Sequence, residues 1–377
     1  MKFLDEYFKY DIGIELSGLT NQLNVFYVNK LREVYNRNII VLTSSLYEAN
    51  KIYNSLSKIN DNALLFPMDD FLSSMIVAQS PELKYKRLEV IDKLKSRDKF
   101  IIVTNLMGYL KYLPSLNTKT LDKINVGDII KRDELVTIIN ELGYHRESLV
   151  TTSGEYAVRG FILDIYPIDY EHPLRIEFDG NKIDSIKYFD ENTQMSFGNI
   201  ESVDIKAIDE IKTDGHNSLV DYADKPIVVM VDKEQIKASF TKLYDDIIDY
   251  KTSNNIDEEL MYSLDDFNFV DKIYVNLFES TGYNLNAHEI TNYKEDFEKL
   301  VSDYNEWIRK GKEVYFYLTD KNEEKKIREI IPTCNVVIQD IDNGFMLDKY
   351  IVIADSDIEE VNKVNTKYKN NFHIGKK

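Results

Sequence analysis

Short, uninterrupted runs of apolar residues alternate with segments of helical periodicity over the first 120 residues. The clearest runs are IIVLTS (39–44) and FIIVT (100–104), each of the length expected for a strand buried on both faces. Apolar residues at near-helical spacing predict helices over 20–35, 46–59 and 81–94. Strands separated by helices are typical of a parallel sheet with helices packed on it. The sequence therefore predicts a parallel α/β domain in this part of the chain.

The pattern changes at about residue 121. RDELVTIINELGY predicts an amphipathic helix, with Asp133 as a possible N-cap and Gly143 as a left-handed stop. Four short strand-like runs follow (EYAVRG, FILDIYPI, PLRIEF and KIDSIKYF), with turn residues and no helix between them. In PLRIEF, alternation places Arg175 and Glu177 on one face of a strand. These features predict an inserted α+β domain built on an antiparallel sheet.

The signal is weaker over residues 206–290. PIVVMV (226–231) reads as a buried strand, whereas KTSNNIDEEL (251–260) is polar and turn-like. An α/β rhythm returns between 293 and 354, where helical segments alternate with EVYFYL, NVVIQ and YIVIAD. The sequence therefore predicts a second small α/β domain, followed by a polar linker or tail over 359–377.

Charge and cysteine content exclude several classes of protein. The 377 residues hold 65 acidic and 47 basic side chains, and a net charge of −18 repels phosphate backbones unless a local basic face overrides it. The single cysteine, Cys334, allows neither an intrachain disulfide nor a cysteine zinc cage. The N-terminus lacks the apolar core of an export signal, and no window has the roughly 20 apolar residues of a membrane span. The cytoplasm is the expected compartment.

One segment, ELSGLTNQLNV (15–25), lies where a phosphate-binding loop would be expected. Such a loop needs a second glycine, a lysine and a Ser/Thr hydroxyl. Counted from Gly18, those positions are Leu23, Asn24 and Val25, so we expect a loop-to-helix turn without nucleotide. The five histidines form no HxxxH or HExxH pair, and no nucleophile elbow is present. The sequence predicts no catalytic residue, cofactor or metal.

Two segments of the sequence are more specific than the patterns described so far. They are FPMDDFLSSMIVAQSPELKYKRLEVIDKL and GYHRESLVTTSGEYAVRGFILDIYPIDYEHPLRIEFDGNKIDSIKYFDENTQMS. Both resemble the N-terminal region of the bacterial transcription-repair coupling factors (Mfd), a region similar to the damage-verification protein UvrB. The first string carries the family's residues at Pro67, Asp69, Asp70, Ser80, Pro81, Glu82, Arg87 and Leu88. The second carries them at Gly143, Gly154, Glu155, Arg159, Gly160, Asp164, Pro167, Arg175, Glu177, Asp190, Gln194 and Ser196.

The resemblance implies an order of domains that agrees with the rhythm of the sequence. The implied domains are a degenerate helicase-like, P-loop-type domain 1A (1–120), a UvrA-binding domain 2 (121–205), a 1B-like return segment (206–285), a small α/β domain 3 (286–358) and a linker (359–377). In members of this family, further domains downstream bind RNA polymerase and translocate on DNA with ATP. UvrB also has an aromatic hairpin that threads damaged DNA, and no such hairpin occurs before residue 121.

The resemblance also implies a partner and its binding residues. In this family domain 2 docks the excinuclease sensor UvrA, through arginines that correspond to Arg159 and Arg175. Family members commonly have an aromatic residue where this chain has Asp179, so affinity could be weaker or the partner surface co-adapted. Between Gly143 and Gly180 there are three arginines and seven acidic residues. On residue type alone, both arginines could equally be paired inside the domain.

Three functions follow from these observations. The favoured one is a non-catalytic adaptor that recruits UvrA, its surface masked by contact with the translocase domains of the full-length protein. The alternative is an ATP-dependent, UvrB-like module that verifies damage or remodels DNA. Direct binding of duplex DNA through a local basic face is a third, which the acidic chain disfavours.

Overall fold

The computed structural model describes residues 2–70, 81–113, 121–168, 170–207, 217–276, 282–293 and 296–358. The strands in these ranges are β1 (Glu15–Ser17), β2 (Ile39–Thr43), β3 (Ala63–Phe66), β4 (Ile101–Asn105), β5 (Leu121–Asn125), β6 (His145–Arg146), β7 (Glu155–Arg159), β8 (Ile162–Ile165), β9 (Leu174–Asp179), β10 (Lys182–Phe189), β11 (Ser196–Ile200), β12 (Ser202–Ile205), β13 (Ile227–Val231), β14 (Asp271–Asn276), β15 (Tyr283–Asn284), β16 (His288–Glu289), β17 (Glu313–Leu318), β18 (Asn335–Ile338), β19 (Phe345–Leu347) and β20 (Tyr350–Ala354). The α-helices are α1 (Asn21–Tyr35), α2 (Leu46–Ile59), α3 (Pro81–Leu94), α4 (Leu106–Leu110), α5 (Arg132–Glu141), α6 (Leu219–Tyr222), α7 (Lys233–Asn254), α8 (Phe297–Arg309), α9 (Lys321–Ile330) and α10 (Asp355–Ile358). Lys2–Glu6 and Leu264–Phe267 form 3₁₀ helices.

The chain divides into two compact units. The first runs to Tyr112 and resumes at Ser218, and the second comprises Leu113–Asn217. The second unit is therefore an insertion in the first. The predicted mixed α/β chain with parallel and antiparallel sheets is confirmed.

A seven-stranded parallel sheet forms the centre of the first unit, in the order β15-β1-β14-β13-β2-β4-β3. The central strands β2 and β13 are buried along their whole length, as continuous apolar runs of parallel sheets usually are. Strands β13 to β15 come from the part of the chain that follows the insertion, so both segments of the first unit build one sheet.

The first unit also contains a five-stranded sheet, in the order β16-β19-β20-β17-β18. This sheet shares a hydrophobic core with the seven-stranded sheet, because Phe345 and Tyr317 pack against Phe26 of α1. Lys58 of α2 pairs with Asp342 at 2.8 Å and with Asp340 at 3.0 Å. The segment predicted as a second small α/β domain is thus packed on the parallel sheet by apolar and ionic contacts.

The second unit is built on a six-stranded sheet, in the order β11-β10-β9-β8-β7-β6, and a two-stranded sheet of β12 and β5. All neighbouring strands are antiparallel except β6 and β7. Gly143 has a φ of +91° after α5, as the predicted left-handed stop requires. The predicted N-cap was wrong: Lys131 precedes the helix, without a side-chain capping bond, and Asp133 lies in its first turn.

Asp357 is a buried carboxyl in the first unit, only 5% exposed. Its Oδ2 atom accepts hydrogen bonds from the backbone N–H groups of Gly344 (2.7 Å) and Ala354 (2.8 Å). Burial outweighs these two bonds and raises the pKa of Asp357 to about 6. The folded protein therefore binds this proton at a higher pH than the unfolded chain does.

We expect Asp357→Asn to remove a pH dependence of stability between about pH 4 and pH 6. Because the folded-state pKa is raised, the wild type gains stability as the pH falls through 6, by roughly 3 kcal/mol at most. An asparagine oxygen can still accept both backbone bonds and does not titrate in this range. Urea unfolding at pH 4 and pH 7 measures the effect. A difference between wild type and variant that is the same at both pH values would contradict it.

Candidate docking surface

The two arginines implicated by the resemblance share one face of the six-stranded sheet. Asp164 of β8 lies directly opposite Ala157 of β7 and Arg175 of β9. Residues directly opposite one another lie on the same face, and residues two positions apart along a strand do so as well. Arg159, two residues after Ala157, therefore joins Asp164 and Arg175. Sheet register brings together three charged groups that are up to 16 positions apart in the sequence.

Asp164 is the centre of this group and has no solvent-exposed area. Arg175 donates two hydrogen bonds to its carboxylate, from Nε to Oδ1 at 2.7 Å and from Nη2 to Oδ2 at 3.0 Å. Arg159 Nη2 donates to the same Oδ2 at 2.5 Å. A buried carboxylate needs such partners, because desolvation penalises an unpaired charge by several kcal/mol. The triad of Arg159, Asp164 and Arg175 carries a net charge of +1.

Further hydrogen bonds and a ring contact hold the guanidinium group of Arg175 in place. Its Nη1 atom donates to Ser196 Oγ at 3.1 Å and to the carbonyl oxygen of Gln194 at 3.2 Å. Its guanidinium carbon lies 4.6 Å from the centre of the Phe189 ring, a cation–π contact. The hydrogen bonds to Asp164 raise the pKa of Arg175 further. Only 13% of the Arg175 side chain is exposed, so this guanidinium has little surface left for a partner.

Arg159 differs in its exposure. It makes a single bond to Asp164, and 45% of its side chain is accessible. The residue types left open whether the two arginines are paired inside the domain. Both are paired there, but only Arg175 is also buried. Arg159 is held at one end by Asp164 and faces solvent with the rest of its guanidinium. A side chain held in this way loses little conformational entropy when it binds a partner.

The next polar pair along the face is electrically balanced. Glu177 accepts bonds from Lys187 Nζ at 2.6 Å and from Ser185 Oγ at 2.7 Å. The bond from Lys187, followed by that from Ser185, lowers the pKa of Glu177. This pair therefore adds no net charge to the face.

An exposed aromatic residue lies two positions after Arg159 in the sequence. Phe161 occupies the turn between β7 and β8, is 68% exposed, and accepts a backbone hydrogen bond from Phe178 at 2.9 Å. Asp179, at the end of β9, is exposed opposite Lys182. Phe161 was not predicted as a site residue. The sequence signal that could have found it is an apolar residue directly after a glycine, Gly160. In the structure Gly160 has a φ of +57°, which marks a tight turn in which side chains point to solvent.

The segment predicted as a degenerate phosphate loop lies in the first unit, at the start of α1. Gly18 has a φ of +65°, and Leu23, Asn24 and Val25 are buried inside α1. Thr20 caps the helix, because its Oγ1 atom accepts a bond from the Leu23 N–H at 3.2 Å.

The described residues contain neither a metal-binding cluster nor a membrane-spanning helix. No group of three or more His, Cys, Asp or Glu side chains there is placed to hold a metal ion. Nor does any helix in those ranges combine the length and hydrophobicity needed to cross a membrane.

Comparison with known proteins identifies the same region. The UvrB interaction domain family matches residues 123–210. The chain is 32% identical to the transcription-repair-coupling factor of Bacillus subtilis (strain 168) over 200 residues, which are 52% of this chain and 17% of that protein. It is 33% identical to that of Staphylococcus aureus (strain bovine RF122 / ET3-1) over 194 residues, 50% of this chain and 16% of that protein.

The matches to the two relatives cover less than a fifth of the length of either protein. The family match over 123–210 includes the whole six-stranded sheet that carries Arg159 and Arg175, which runs from His145 to Ile200. The resemblance of this chain to the N-terminal region of the transcription-repair coupling factors is therefore confirmed, and the triad lies within the residues that match the UvrB interaction domain family.

Proposed function

We propose that this chain is a non-catalytic adaptor that recruits UvrA in transcription-coupled nucleotide excision repair. The observation that carries the proposal is the half-exposed Arg159, anchored on a fully buried carboxylate inside a UvrB interaction domain. Guanidinium groups bind carboxylates with good geometry and are enriched among the residues that dominate binding energy. The relatives' name, transcription-repair-coupling factor, supports a role in repair coupled to transcription.

In this proposal the site residues have different roles. Arg159 contacts UvrA, and Arg175 is a positioning residue that completes the coordination of Asp164. Phe161 supplies the apolar anchor that the family's aromatic residue would give at the position of Asp179. The exposed carboxylate of Asp179 would then lie at the rim of the interface, where charges affect association rates more than affinity.

Packing at the degenerate phosphate loop supports the absence of catalysis. A Cβ atom on Gly18 would lie 2.0 Å from Asn284 Oδ1 and 2.9 Å from the backbone nitrogen of Asn286. The backbone N–H groups of Leu285 and Ala287 donate to the carbonyl oxygens of Ser17 and Gly18, both at 2.9 Å. The protein's own segment 284–287 thus packs directly against the backbone of this loop at Ser17 and Gly18.

We assign the remaining activities to parts of the coupling factors that this chain does not cover. In the full-length proteins those parts would bind RNA polymerase, translocate on DNA with ATP, and mask the UvrA surface by intramolecular contact. The cytoplasmic location stays a prediction from the sequence.

The first test is direct binding of UvrA. We expect the purified chain to bind immobilised UvrA, and Phe161→Ala to weaken binding about 5- to 30-fold, the effect of losing an apolar anchor worth roughly 1–2 kcal/mol. Phe269→Ala is the matched control, because Phe269 is also a solvent-exposed phenylalanine, 77% exposed, but lies in the first unit. No binding by the wild type would reject the adaptor. Equal loss in both variants would reject the anchor role of Phe161.

The second test addresses the ATP-dependent alternative. We expect the thermal unfolding temperature to stay the same in millimolar ATP with Mg²⁺ as in Mg²⁺ alone. A nucleotide bound at 100 times its Kd would stabilise the folded state by about 2.7 kcal/mol, which shifts the melting temperature by several degrees. A shift of that size, together with slower hydrogen exchange at the start of α1, would reject the non-catalytic assignment and support a UvrB-like nucleotide site.

A further inference from the structure

A second feature with the dimensions of a binding site lies in the first unit. It is a cavity of about 360 Å³ between the seven-stranded sheet, α7 and the 3₁₀ helix Leu264–Phe267. Val228 and Met230 of β13 form its floor, on the sheet face opposite Val229, which belongs to the main core. Its volume lies at the lower end of the range of small-molecule sites.

The walls of the cavity are largely aromatic. They include Tyr109 of α4, Phe240 of α7, Phe267 of the 3₁₀ helix and Tyr274 of β14. The ring centres of Tyr109 and Phe267 are 4.7 Å apart at an interplanar angle of 52°. Such walls favour a planar, apolar ligand body.

Three lysines and one aspartate also line the cavity: Lys233, Lys237, Lys272 and Asp265. Their net charge of +2 contrasts with the −18 of the whole chain. Lys233 and Lys237 are four residues apart on α7, so they lie on one face of the helix. Helical and strand geometry thus concentrates cations in a chain that is otherwise strongly acidic.

Of the three lysines that line the cavity, Lys272 has the least negative charge near its ammonium group. Its ammonium group donates to the carbonyl oxygen of Phe267, and no carboxylate of the described residues lies within ion-pair distance of it. Burial lowers the pKa of Lys272, and Asp265 only partly offsets this. Lys233 and Lys237, by comparison, have Glu15 at 3.9 Å and Glu234 at 3.1 Å. An incoming anion would therefore complete the coordination of Lys272.

Tyr109 provides an independent sign of a missing partner. It is 1% exposed, and its phenol oxygen has no hydrogen-bond partner among the described residues. Buried hydroxyls are rarely left in this state, because an unsatisfied polar group costs roughly 1–3 kcal/mol. Tyr109 is one of the residues that line the cavity, and among them its hydroxyl is the buried polar group without a partner.

We infer that this cavity binds a small aromatic anion, that is, a planar ring system carrying a phosphate or carboxylate head. The ring would pack against Tyr109, Phe240 and Phe267, and the head would bind the ammonium groups of Lys272 and Lys237. The site lies in the first unit, whereas the residues proposed to bind UvrA lie in the second, so neither proposal depends on the other.

The test is calorimetric titration of the whole chain with four probes: 1-naphthyl phosphate, 1-naphthoate, uncharged 1-naphthol and inorganic phosphate. We expect one equivalent of at least one naphthyl anion to bind more than tenfold more tightly than naphthol or inorganic phosphate. The stronger of the two anions identifies the head group. If naphthol bound as tightly as the naphthyl anions, the site would be only an apolar cavity. If inorganic phosphate bound as tightly as they do, the site would be only a cluster of lysines. Either result would overturn the inference.

Variants locate the binding. Lys272→Met and Lys237→Met should each weaken binding of the better anion at least tenfold, and Tyr109→Phe about threefold or more without lowering the melting temperature. Lys242→Met is the matched control, because Lys242 is an exposed lysine of α7 that does not line the cavity. If Lys272→Met fails to fold, the affinity of Lys237→Met for the better anion decides whether the lysines bind it. Unchanged binding in the folded lysine variants would overturn the inference.

Discussion

Replacing Arg175 with alanine is expected to destabilise the second unit by about 3–5 kcal/mol, the range for removing one partner of a buried ion pair. The variant would leave Asp164, which has no exposed area, with the single remaining bond from Arg159. It would also remove the bonds to Ser196 and Gln194 and the stacking on Phe189. Because only 13% of the Arg175 side chain is exposed, solvent screening weakens these interactions little.

Hydrogen–deuterium exchange of residues 155–189 measures this effect, since it reads the opening of that sheet separately from the rest of the chain. Arg309→Ala, an exposed arginine of α8, is the control and should leave exchange in the sheet unchanged. The double variant Arg175→Ala with Asp164→Ala should recover part of the loss, because it removes the unpaired buried charge. A loss below about 1 kcal/mol in Arg175→Ala would mean that the carboxylate is solvated, contrary to the structure.

Much of the parallel sheet could be predicted because its strands are buried on both faces. The run IIVLTS was assigned to a strand, and β2 occupies Ile39–Thr43. The helix predicted over 46–59 is α2, Leu46–Ile59, which begins after its N-cap Ser45 and buries one apolar stripe. In these segments local pattern and tertiary environment favour the same structure.

Helix α7 was not predicted. Of its 22 residues only Ile236, Leu243 and Ile247 are buried, so its apolar pattern is sparse. Its last turn is KTSN, which reads as a polar turn, and the chain stops the helix at Asn255 with a φ of +51°. Packing against the sheet, which a local pattern does not reveal, stabilises this helix.

The triad could be predicted only in part. The string resemblance pointed to Arg159 and Arg175, and strand alternation placed Arg175 on a polar face. Which of the seven acidic residues in that segment would pair with them depended on the register of β7, β8 and β9, which selects Asp164. Exposure of the two arginines depended on packing, so the difference between them could not be read from residue type.

Arg159→Ala is expected to weaken binding of UvrA by roughly 2–4 kcal/mol, about 30- to 1,000-fold in Kd. The stability of the second unit should change little, because Asp164 keeps both bonds to Arg175 and the Arg159 side chain is 45% exposed. This combination of lost binding and retained fold distinguishes a contact residue from a positioning residue such as Arg175. Titration of UvrA against the purified chain, with hydrogen exchange on the same samples, measures both.

Two further variants sharpen the interpretation. Arg159→Lys keeps the charge but loses the planar fork, so binding should recover only partly if the partner group is a carboxylate held by two bonds. Arg309→Ala removes one positive charge from an exposed helix of the first unit and should leave UvrA binding unchanged, which controls for the loss of net charge. If Arg159→Ala bound UvrA as tightly as the wild type, the guanidinium would serve only the fold. The docking role of this face would then have to pass to Phe161 or be abandoned.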